Sequence, residues 1–211
     1  MHEIFDDIKD ALFGNERQAD FSQFAKRYNL TYQKKFPFKD LDFELRDTAL
    51  FNGKKRKVVR NFCNQALSAL PGSLQLFDYL YYPDSGKKST TVALLESSTF
   101  NFPSFLIRPK RTIEKLGSLF VKNKVEFKEN PLFNQVYVFT STSKNSVKPL
   151  IRKELLDLLL TENHLWLEGK GPFLLVYEKN KLQPIDKLLS FYEDVLELAE
   201  LINREPPGDF V

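Results

Sequence analysis

Residues 73–96 read SLQLFDYLYYPDSGKKSTTVALLE, and this stretch decides the class of fold. Two runs in it, Ser73–Tyr82 and Thr90–Glu96, are rich in apolar, aromatic and β-branched residues, as strands are. Pro83-Asp84-Ser85-Gly86 lies between them and supplies the residue types that turns require. A connection this short predicts antiparallel pairing, because a parallel pair needs a long crossover.

The same pattern of short strands and turns extends in both directions from this hairpin. Asn52-Gly53 is a hairpin dipeptide, and Gly169-Lys170-Gly171-Pro172 predicts a turn between Trp166 and Leu174. From Leu30 the apolar period is two, which predicts a first strand there. The other strand candidates are Asp42–Phe51, Lys57–Gln65, Ser104–Arg108, Val125–Lys128, Gln135–Ser141, His164–Glu168 and Phe173–Glu178.

Helical patterns precede, interrupt and close the strands. Apolar residues at helical spacing predict a first helix that ends at Gly14, and Asp20 is a good N-cap for a second. Inserted helices are predicted near residues 112–120 and 146–160, the latter with Pro149 in its first turn. Residues 184–203 predict a long amphipathic helix with one apolar stripe and an acidic opposite side.

These patterns predict an α+β fold in a single domain over residues 1–205. We expect a helical segment at 1–28, a sheet-rich core at 30–178, the C-terminal helix at 184–203 and a flexible tail at 206–211. The core is a mainly antiparallel twisted sheet of about 7–10 short strands, on which the C-terminal helix packs. The patterns leave open whether the sheet is one open sheet, two packed sheets or a partly closed barrel.

The composition indicates an ordinary folded protein with a large aromatic core. Of the 211 residues, 42% are hydrophobic, and 20 are phenylalanine, whose ring has no polar group. The net charge of +3 is too small to indicate a nucleic-acid partner by itself. Cys63 is the one cysteine, and neither a secretory signal nor a transmembrane segment is recognisable, so we expect a cytoplasmic protein.

Four groups of residues, from Phe51 to about Ile202, carry a family resemblance. They are Phe51-Asn52-Gly53 with Val58-Val59-Arg60-Asn61; Phe77-Asp78-Tyr79-Leu80-Tyr81 with Gly86, Thr91 and Val92; Pro103-Ser104-Phe105-Leu106-Ile107-Arg108-Pro109 with Lys115-Leu116-Gly117 and Val125-Glu126-Phe127; and Phe133, Tyr137 and Val138 with the 146–160 segment, Trp166, Glu168 and Leu174-Leu175-Val176-Tyr177. In order and spacing these groups resemble a family of uncharacterised bacterial proteins, a domain of unknown function.

The resemblance implies a bacterial domain and brings no catalytic residue or ligand to this sequence. Relatives tend to place a glycine soon after the residue equivalent to Asn61, whereas Phe62-Cys63-Asn64-Gln65 follows here. The sequence therefore departs from the family at the turn or close contact that this glycine serves.

No set of side chains in the sequence has the spacing of a metal or nucleophile site. His2 and His164 have no partner at ligand spacing. A cation site at Asp40, Asp42 and Glu44 is a weaker interpretation than a solvated edge strand neutralised by the neighbouring Lys34, Lys35, Lys39 and Arg46. Cys63 lies in an apolar strand candidate, which favours a buried, inert thiol.

Phosphate-loop patterns are also incomplete. Gly86-Lys87-Lys88-Ser89-Thr90 resembles the end of a P-loop, but Tyr81 stands where the first glycine belongs and a strand follows instead of a helix. The dinucleotide-binding pattern G-x-G-x-x-G does not occur. We therefore predict no catalytic residue, no metal and no cofactor.

Two basic clusters are the remaining surface signal. One interpretation is contact with an anionic surface or partner, and the favoured alternative is solvated turns and edges. The acidic side of the last helix, Glu193, Asp194, Glu197 and Glu200, is a hypothetical contact for them, within this chain or in a second copy. The clusters consist of Lys54, Lys55, Arg56 and Lys57 with Arg60, and of Arg108, Lys110, Arg111, Lys115, Lys122 and Lys124.

Three functions stay open on this basis. The first is a non-catalytic binding domain of the bacterial cytoplasm, with an unknown protein partner or a second copy of itself. The second is an enzyme assembled only in three dimensions, for which Asp78, Tyr79, Tyr81 and Glu168 are the first candidates. The third is contact with an anionic membrane surface or nucleic acid through the basic clusters. Asp78 is predicted to fix the sheet as a buried polar group, or to line a pocket.

Overall fold

Nine antiparallel strands form one open sheet in the order β1-β2-β3-β4-β9-β8-β5-β7-β6. The structure is a computed structural model that describes residues 2–39, 41, 45–52, 57–68, 70–83, 86–110 and 123–203, with side chains from residue 14 onward except at 150. The sheet confirms the predicted α+β class and decides against two sheets or a barrel. The strands are β1 (Thr31–Phe36), β2 (Lys57–Leu67), β3 (Gly72–Tyr81), β4 (Lys88–Ser97), β5 (Phe102–Pro109), β6 (Lys124–Val125), β7 (Tyr137–Ser141), β8 (Leu165–Gly171) and β9 (Phe173–Glu178).

The hairpin predicted over residues 73–96 is present as β3 and β4. Their register runs from Gly72 opposite Ser97 to Tyr81 opposite Lys88. The second predicted turn joins β8 to β9, with Gly171 at a φ of 54° that glycine adopts without strain. Strand β4 pairs with β9 and not with the next strand along the chain, β5. Strand β5 pairs with β8, on the far side of the β8–β9 hairpin.

Five α-helices lie within the described residues. The first is continuous, so the predicted stop at Gly14 and restart at Asp20 are wrong. An interior glycine costs a helix only about 0.5–1 kcal/mol, and burial of Phe21, Phe24 and Ala25 offsets that cost. The helices are α1 (His2–Arg27), α2 (Pro131–Val136), α3 (Lys144–Val147), α4 (Lys153–Thr161) and α5 (Leu188–Asn203), and two 3-10 turns cover Lys148–Leu150 and Ile185–Lys187.

The predicted helix at 146–160 is broken into three pieces. The helical segment begins at Lys144 instead of 146, which puts Pro149 beyond the first turn. A proline there removes a backbone hydrogen bond and clashes with the preceding turn. The chain continues as the 3-10 turn Lys148–Leu150, becomes extended at Ile151 (φ −106°, ψ 97°), and α4 begins at Lys153.

The predicted strand at Asp42–Phe51 is wrong in its described part. Residues 45–52 form turns, in which the backbone N–H groups of Thr48 and Phe51 donate to the carbonyls of Leu45 and Thr48. Leu45, Leu50 and Phe51 are buried, because the segment lies across the sheet as a cover instead of pairing along it. The hairpin dipeptide at Gly53 and the predicted helix near 112–120 lie outside the described residues.

The two faces of the sheet have different covers. The helical face packs under α1, α4 and α5, and the stripe predicted for residues 184–203 is buried there through Leu188, Val195, Ala199 and Ile202. The opposite face, here called the segment face, carries an aromatic cluster that packs against described residues of the covering segment, among them Phe38, Leu45 and Phe51. None of the helices in the described part of the chain has the length and apolar composition that a bilayer span requires.

Candidate anion-binding cleft

A buried ion pair between α1 and β3 forms the floor of the candidate site. The Arg17 guanidinium donates from Nε to Asp78 Oδ2 at 2.6 Å and from Nη2 to Oδ1 at 2.8 Å. Two further donors reach the same carboxylate: Thr91 Oγ1 bonds Oδ1 at 2.9 Å and Asn61 Nδ2 bonds Oδ2 at 2.9 Å. Both oxygens of Asp78 are therefore occupied within the protein, and both predictions for this residue hold, since it fixes the sheet and also lines a pocket.

The sheet register sets this carboxylate in a row of polar residues. Lys35 lies opposite Arg60, Arg60 opposite Asp78, and Asp78 opposite Thr91. Directly opposite residues share a face and stand about 5 Å apart at their Cβ atoms. The row therefore crosses β1, β2, β3 and β4 on the helical face. Arg17 of α1 lies over this row at Asp78.

A β-bulge in β2 brings extra polar residues to this row. The register between β2 and β3 shifts between Arg60 and Cys63, and Val59 and Phe62 both pack on the segment face. Two consecutive residues, Arg60 and Asn61, are thereby left toward the helical face, where both line the cleft. Asn61 takes a left-handed φ of 51°, which asparagine tolerates better than most residues.

The bulge also orients two lysines of the neighbouring strand. Strand β1 keeps a regular register with β2, so Lys34 lies beside Asn61 and Lys35 beside Arg60. Strict alternation would send two consecutive residues to opposite faces. Both lysines instead line the same cleft, because β1 follows the irregular course of β2.

The network under the cleft reaches the segment that precedes α5. Arg17 Nη1 donates to the carbonyl of Gln183 at 2.8 Å, and the Gln183 N–H donates to Thr91 Oγ1 at 2.9 Å. The Arg17 guanidinium also lies 5.0 Å from the centre of the Phe21 ring. One buried arginine thus joins α1, the sheet and the segment that precedes α5.

Above this floor is a cleft of about 400 Å³ with a strong excess of positive charge. Its lining has five cationic side chains and one carboxylate, that of Asp78. Leu80 and Leu182 contribute apolar surface, and Ser89 contributes a hydroxyl. The lining residues are Gly14, Asn15, Arg17, Gln18, Lys34, Lys35, Arg60, Asn61, Asp78, Leu80, Lys87, Ser89 and Leu182.

Three of these cations have no carboxylate partner among the residues that the structure describes. Lys34, Lys35 and Arg60 are exposed, and none of them forms an ion pair with a carboxylate of the described residues. Asp78 is the cross-strand neighbour of Arg60, but its oxygens are already bonded to Arg17, Thr91 and Asn61. A concave surface with unbalanced cations attracts anions from solution.

Apart from Arg60, which lines the cleft, the described members of the predicted basic clusters lie elsewhere. Lys57 lies with Nζ 4.8 Å from the centre of the Phe38 ring, and the Arg108 guanidinium lies 5.9 Å from that of Trp166. Lys124 Nζ bonds Glu126 Oε1 at 2.6 Å and lowers the pKa of that carboxyl, and the Lys110 N–H donates to the carbonyl of Val136. Residues Lys54, Lys55, Arg56, Arg111, Lys115 and Lys122 lie outside the described residues.

Four strands separate β2, where Lys57 lies, from β5, where Arg108 lies, so the described members of the two clusters are not brought together. Their contact with a partner stays a prediction. The contact between the acidic side of the last helix and these clusters also stays a prediction. On that side, burial and the neighbouring Glu162 carboxylate raise the pKa of Asp194.

The candidates for an enzymatic site do not converge. Asp78 faces the helices, whereas Tyr79, Tyr81 and Glu168 belong to the segment face. Glu168 accepts hydrogen bonds from the N–H groups of Ala49 and Leu50 and from the Tyr177 hydroxyl at 2.6 Å, which fastens the covering segment to β8. Burial raises the pKa of Glu168, and the three hydrogen bonds oppose that rise.

The metal and thiol predictions have simple outcomes. No group of three potential metal ligands occurs among the described residues, and the predicted alternative at Asp40, Asp42 and Glu44 lies outside them. His164 lies near carboxylates, with Nε2 3.6 Å from Glu178 Oε2 and 3.8 Å from Glu162 Oε2. Cys63 is buried, as predicted, and burial raises the pKa of its thiol to about 12.

Comparison with known proteins shows a shared fold. No family model matches the chain, and no curated protein sequence matches it. The chain is similar to the crystal structure of the mycobacterial trehalose monomycolate transport factor A, TtfA, with a TM-score of 0.58 over 90% of this chain and 98% of that chain. The two sequences are 11% identical, a level at which the likeness concerns the fold alone.

Proposed function

We propose that this protein is a non-catalytic binding domain for a small anionic ligand, which it holds in the cleft between α1 and strands β1–β4. The observation that carries the proposal is the set of exposed cations Lys34, Lys35 and Arg60 around a floor whose carboxylate is already bonded. Bringing such cations together costs stability through mutual repulsion, and an anionic ligand removes that cost.

The state of the floor favours binding over catalysis. A general base needs a lone pair free to accept a proton from the reactant. The Asp78 oxygens accept bonds from Arg17, Thr91 and Asn61, and Arg17 is itself held by Asp78 and Gln183. The floor therefore acts as a rigid support for the cations of the rim.

The dimensions of the site favour a small molecule over nucleic acid. A cleft of about 400 Å³ falls within the range of ordinary ligand pockets, roughly 300–1,000 Å³. Nucleic acid requires a continuous basic surface along its backbone. The described members of the two basic clusters lie far apart in the sheet, the first on β2 and the second on or next to β5 and β6.

A binding role is compatible with the name of the structural neighbour, a transport factor, although that likeness concerns the fold alone. The resemblance of residues 51–202 to bacterial proteins supports a bacterial origin, and we place the protein in the cytoplasm as part of this proposal. A protein partner that receives the ligand is compatible with the same role.

Titration with three small anions tests this function. The probes are phenyl phosphate, phenyl sulfate and benzoate, followed through the backbone amide resonances of the 24.6 kDa chain. We expect at least one probe to shift resonances of β1, β2 and the start of β4, and to bind more weakly as salt rises from about 20 to 200 mM. The Lys35→Gln/Arg60→Gln variant should lose at least about tenfold in affinity, roughly 1.4 kcal/mol.

The matched control removes two positive charges elsewhere. Lys144 and Lys148 are exposed and do not line the cleft, so Lys144→Gln/Lys148→Gln should bind the probes as the parent does. An equal loss in both variants would mean that net charge alone drives binding. No binding of any probe, or shifts confined to other surfaces, would refute the proposed function.

A further inference from the structure

We infer that the group recognised in this cleft is a phosphomonoester, and that the part of the ligand bearing it is apolar. This inference rests on the proposed function and deepens it. The juxtaposition that carries it is a lysine pair on β1, an arginine directly opposite on β2, and an apolar wall next to them on β3.

Among the described residues, the charge of the unpaired cations is closer to that of a phosphomonoester than to that of a singly charged anion. Lys34, Lys35 and Arg60 contribute three positive charges with no carboxylate partner among the described residues. A phosphomonoester carries about 1.5–2 negative charges at neutral pH, because its second pKa is near 6. A carboxylate or a sulfate ester carries one charge, which leaves most of the positive charge unbalanced.

The arrangement of donors matches the number of phosphate oxygens. Lys35 and Arg60 are cross-strand partners on one face, so their side chains start about 5 Å apart. A guanidinium binds two oxygens of one group through its planar fork, and a lysine binds a third as a point charge. The bulge adds Lys34 from the adjacent position, so all three terminal oxygens have a cationic donor. A carboxylate has only two oxygens to offer.

The remaining lining indicates where the ligand body lies. Leu80 follows Asp78 by two residues on the same face of β3, and Ser89 lies directly opposite it on β4. Leu182 lines the cleft from the segment that precedes α5. An ester group bound at β1 and β2 would therefore place its organic part against two leucines, with one hydroxyl within the same wall.

The three probes differ in charge and in the number of terminal oxygens. Phenyl phosphate, phenyl sulfate and benzoate share an apolar ring, phenyl sulfate keeps three terminal oxygens with one charge, and benzoate has two oxygens. At pH 7.5 we expect phenyl phosphate to bind at least about tenfold tighter than either of the others, about 1.4 kcal/mol. Between pH 7.5 and 5.5 its affinity should fall as the phosphate gains a proton, while that of phenyl sulfate stays constant.

Two variants separate charge from geometry. Arg60→Lys keeps the positive charge but loses the fork, so it should reduce the preference for phenyl phosphate over phenyl sulfate while retaining binding of both. Arg60→Gln should weaken all three probes. If phenyl sulfate or benzoate binds the parent as tightly as phenyl phosphate, the phosphomonoester inference is wrong and the proposed function stands. If no probe binds, both fail.

The same group can be presented free or on a lipid. Vesicles that contain phosphatidic acid display a phosphomonoester at a surface, and vesicles with phosphatidylserine at equal charge are the control. Arg60-dependent sedimentation with the former alone would identify a lipid headgroup as the source. Binding of phenyl phosphate without sedimentation would identify a free small molecule. Equal sedimentation with both kinds of vesicle, together with no preference among the probes, would overturn the inference.

Discussion

Two buried carboxylates in this protein are stabilised in different ways. Asp78 is 2% exposed and is paired with the Arg17 guanidinium, whereas Glu168 is 4% exposed and receives its hydrogen bonds from two backbone N–H groups and the Tyr177 hydroxyl. A buried ion pair depends on both partners, since the survivor is left charged without compensation. A buried carboxyl held by neutral donors instead makes the free energy of unfolding depend on pH. The two residues therefore give two separate predictions.

Asp78→Asn is expected to lower the free energy of unfolding by about 3–5 kcal/mol, because it leaves the Arg17 guanidinium buried without its counter-charge. Urea denaturation followed by circular dichroism measures this loss. Asp47→Asn is the matched control, since the Asp47 side chain is 73% exposed and its oxygen lies 3.4 Å from Lys170 Nζ. An exposed pair of this kind contributes at most about 1 kcal/mol. Equal losses in the two variants would show that the Arg17–Asp78 pair does not support the fold.

Glu168 is expected to make the folded state more stable as pH falls from about 7.5 toward 5. Burial raises the pKa of its carboxyl above the ordinary value of 4.5, so the folded state binds a proton more readily than the unfolded state. Above the pKa that Glu168 has in the folded state, its carboxylate is charged and its burial destabilises the fold. As pH falls below that pKa, the carboxyl becomes neutral and this destabilisation is lost. Glu168→Gln should flatten this pH dependence, whatever its effect on absolute stability. An unchanged slope of unfolding free energy against pH in the variant would contradict the account.

At the scale of elements, the sequence is informative where a local period decides the structure. The β3–β4 hairpin, the β8–β9 turn and α5 follow from alternation, turn residues and a continuous apolar stripe. The break at Pro149 and the covering turns at 45–52 were mispredicted, because packing against the sheet sets where those segments start and how they lie. The bulge at Arg60-Asn61 has no recognisable sequence pattern. Alternation along a strand predicts opposite faces for consecutive residues, so it could not predict that Lys34 and Lys35 line the same cleft.

The bulge yields a prediction about its backbone. Asn61→Ala and Asn61→Gly both lose the amide that bonds Asp78, but only alanine is strained at the φ of 51°. The alanine variant should therefore be less stable than the glycine variant by about 1 kcal/mol. Parallel urea titrations of the two proteins measure the difference. Alanine equal to or better than glycine would mean that position 61 is not held in a left-handed conformation.

Helix α5 gives a prediction about its buried stripe. Leu198 is fully buried, and its neighbour Glu197 is exposed. Leu198→Ala should cost about 2–5 kcal/mol through lost burial and the cavity that it leaves. Glu197→Ala should stay within about 0.5 kcal/mol of the parent. Thermal unfolding of both variants tests the packing of α5 on the helical face, and the reverse order of losses would refute it.

At the scale of the whole molecule, the candidate site exists because of long-range pairing. Arg17 and Asp78 are 61 positions apart in the chain, and the row of Lys35, Arg60, Asp78 and Thr91 exists only through the register of four strands. The sequence identified Asp78 as a buried polar residue and Arg60 as a member of a basic cluster. It gave no sign that these two residues face one cleft with Lys34 and Lys35, because nothing local encodes strand register or the position of α1.

An anion in this cleft can be located by anomalous diffraction from crystals of the full chain grown with tungstate, an oxyanion analogue of phosphate. We expect a tungsten peak within bonding distance of Arg60 and Lys35, which is lost in Lys35→Gln/Arg60→Gln crystals. Tungsten peaks only on other surfaces, or an empty cleft whose Lys35 and Arg60 side chains contact no neighbouring molecule, would contradict this expectation.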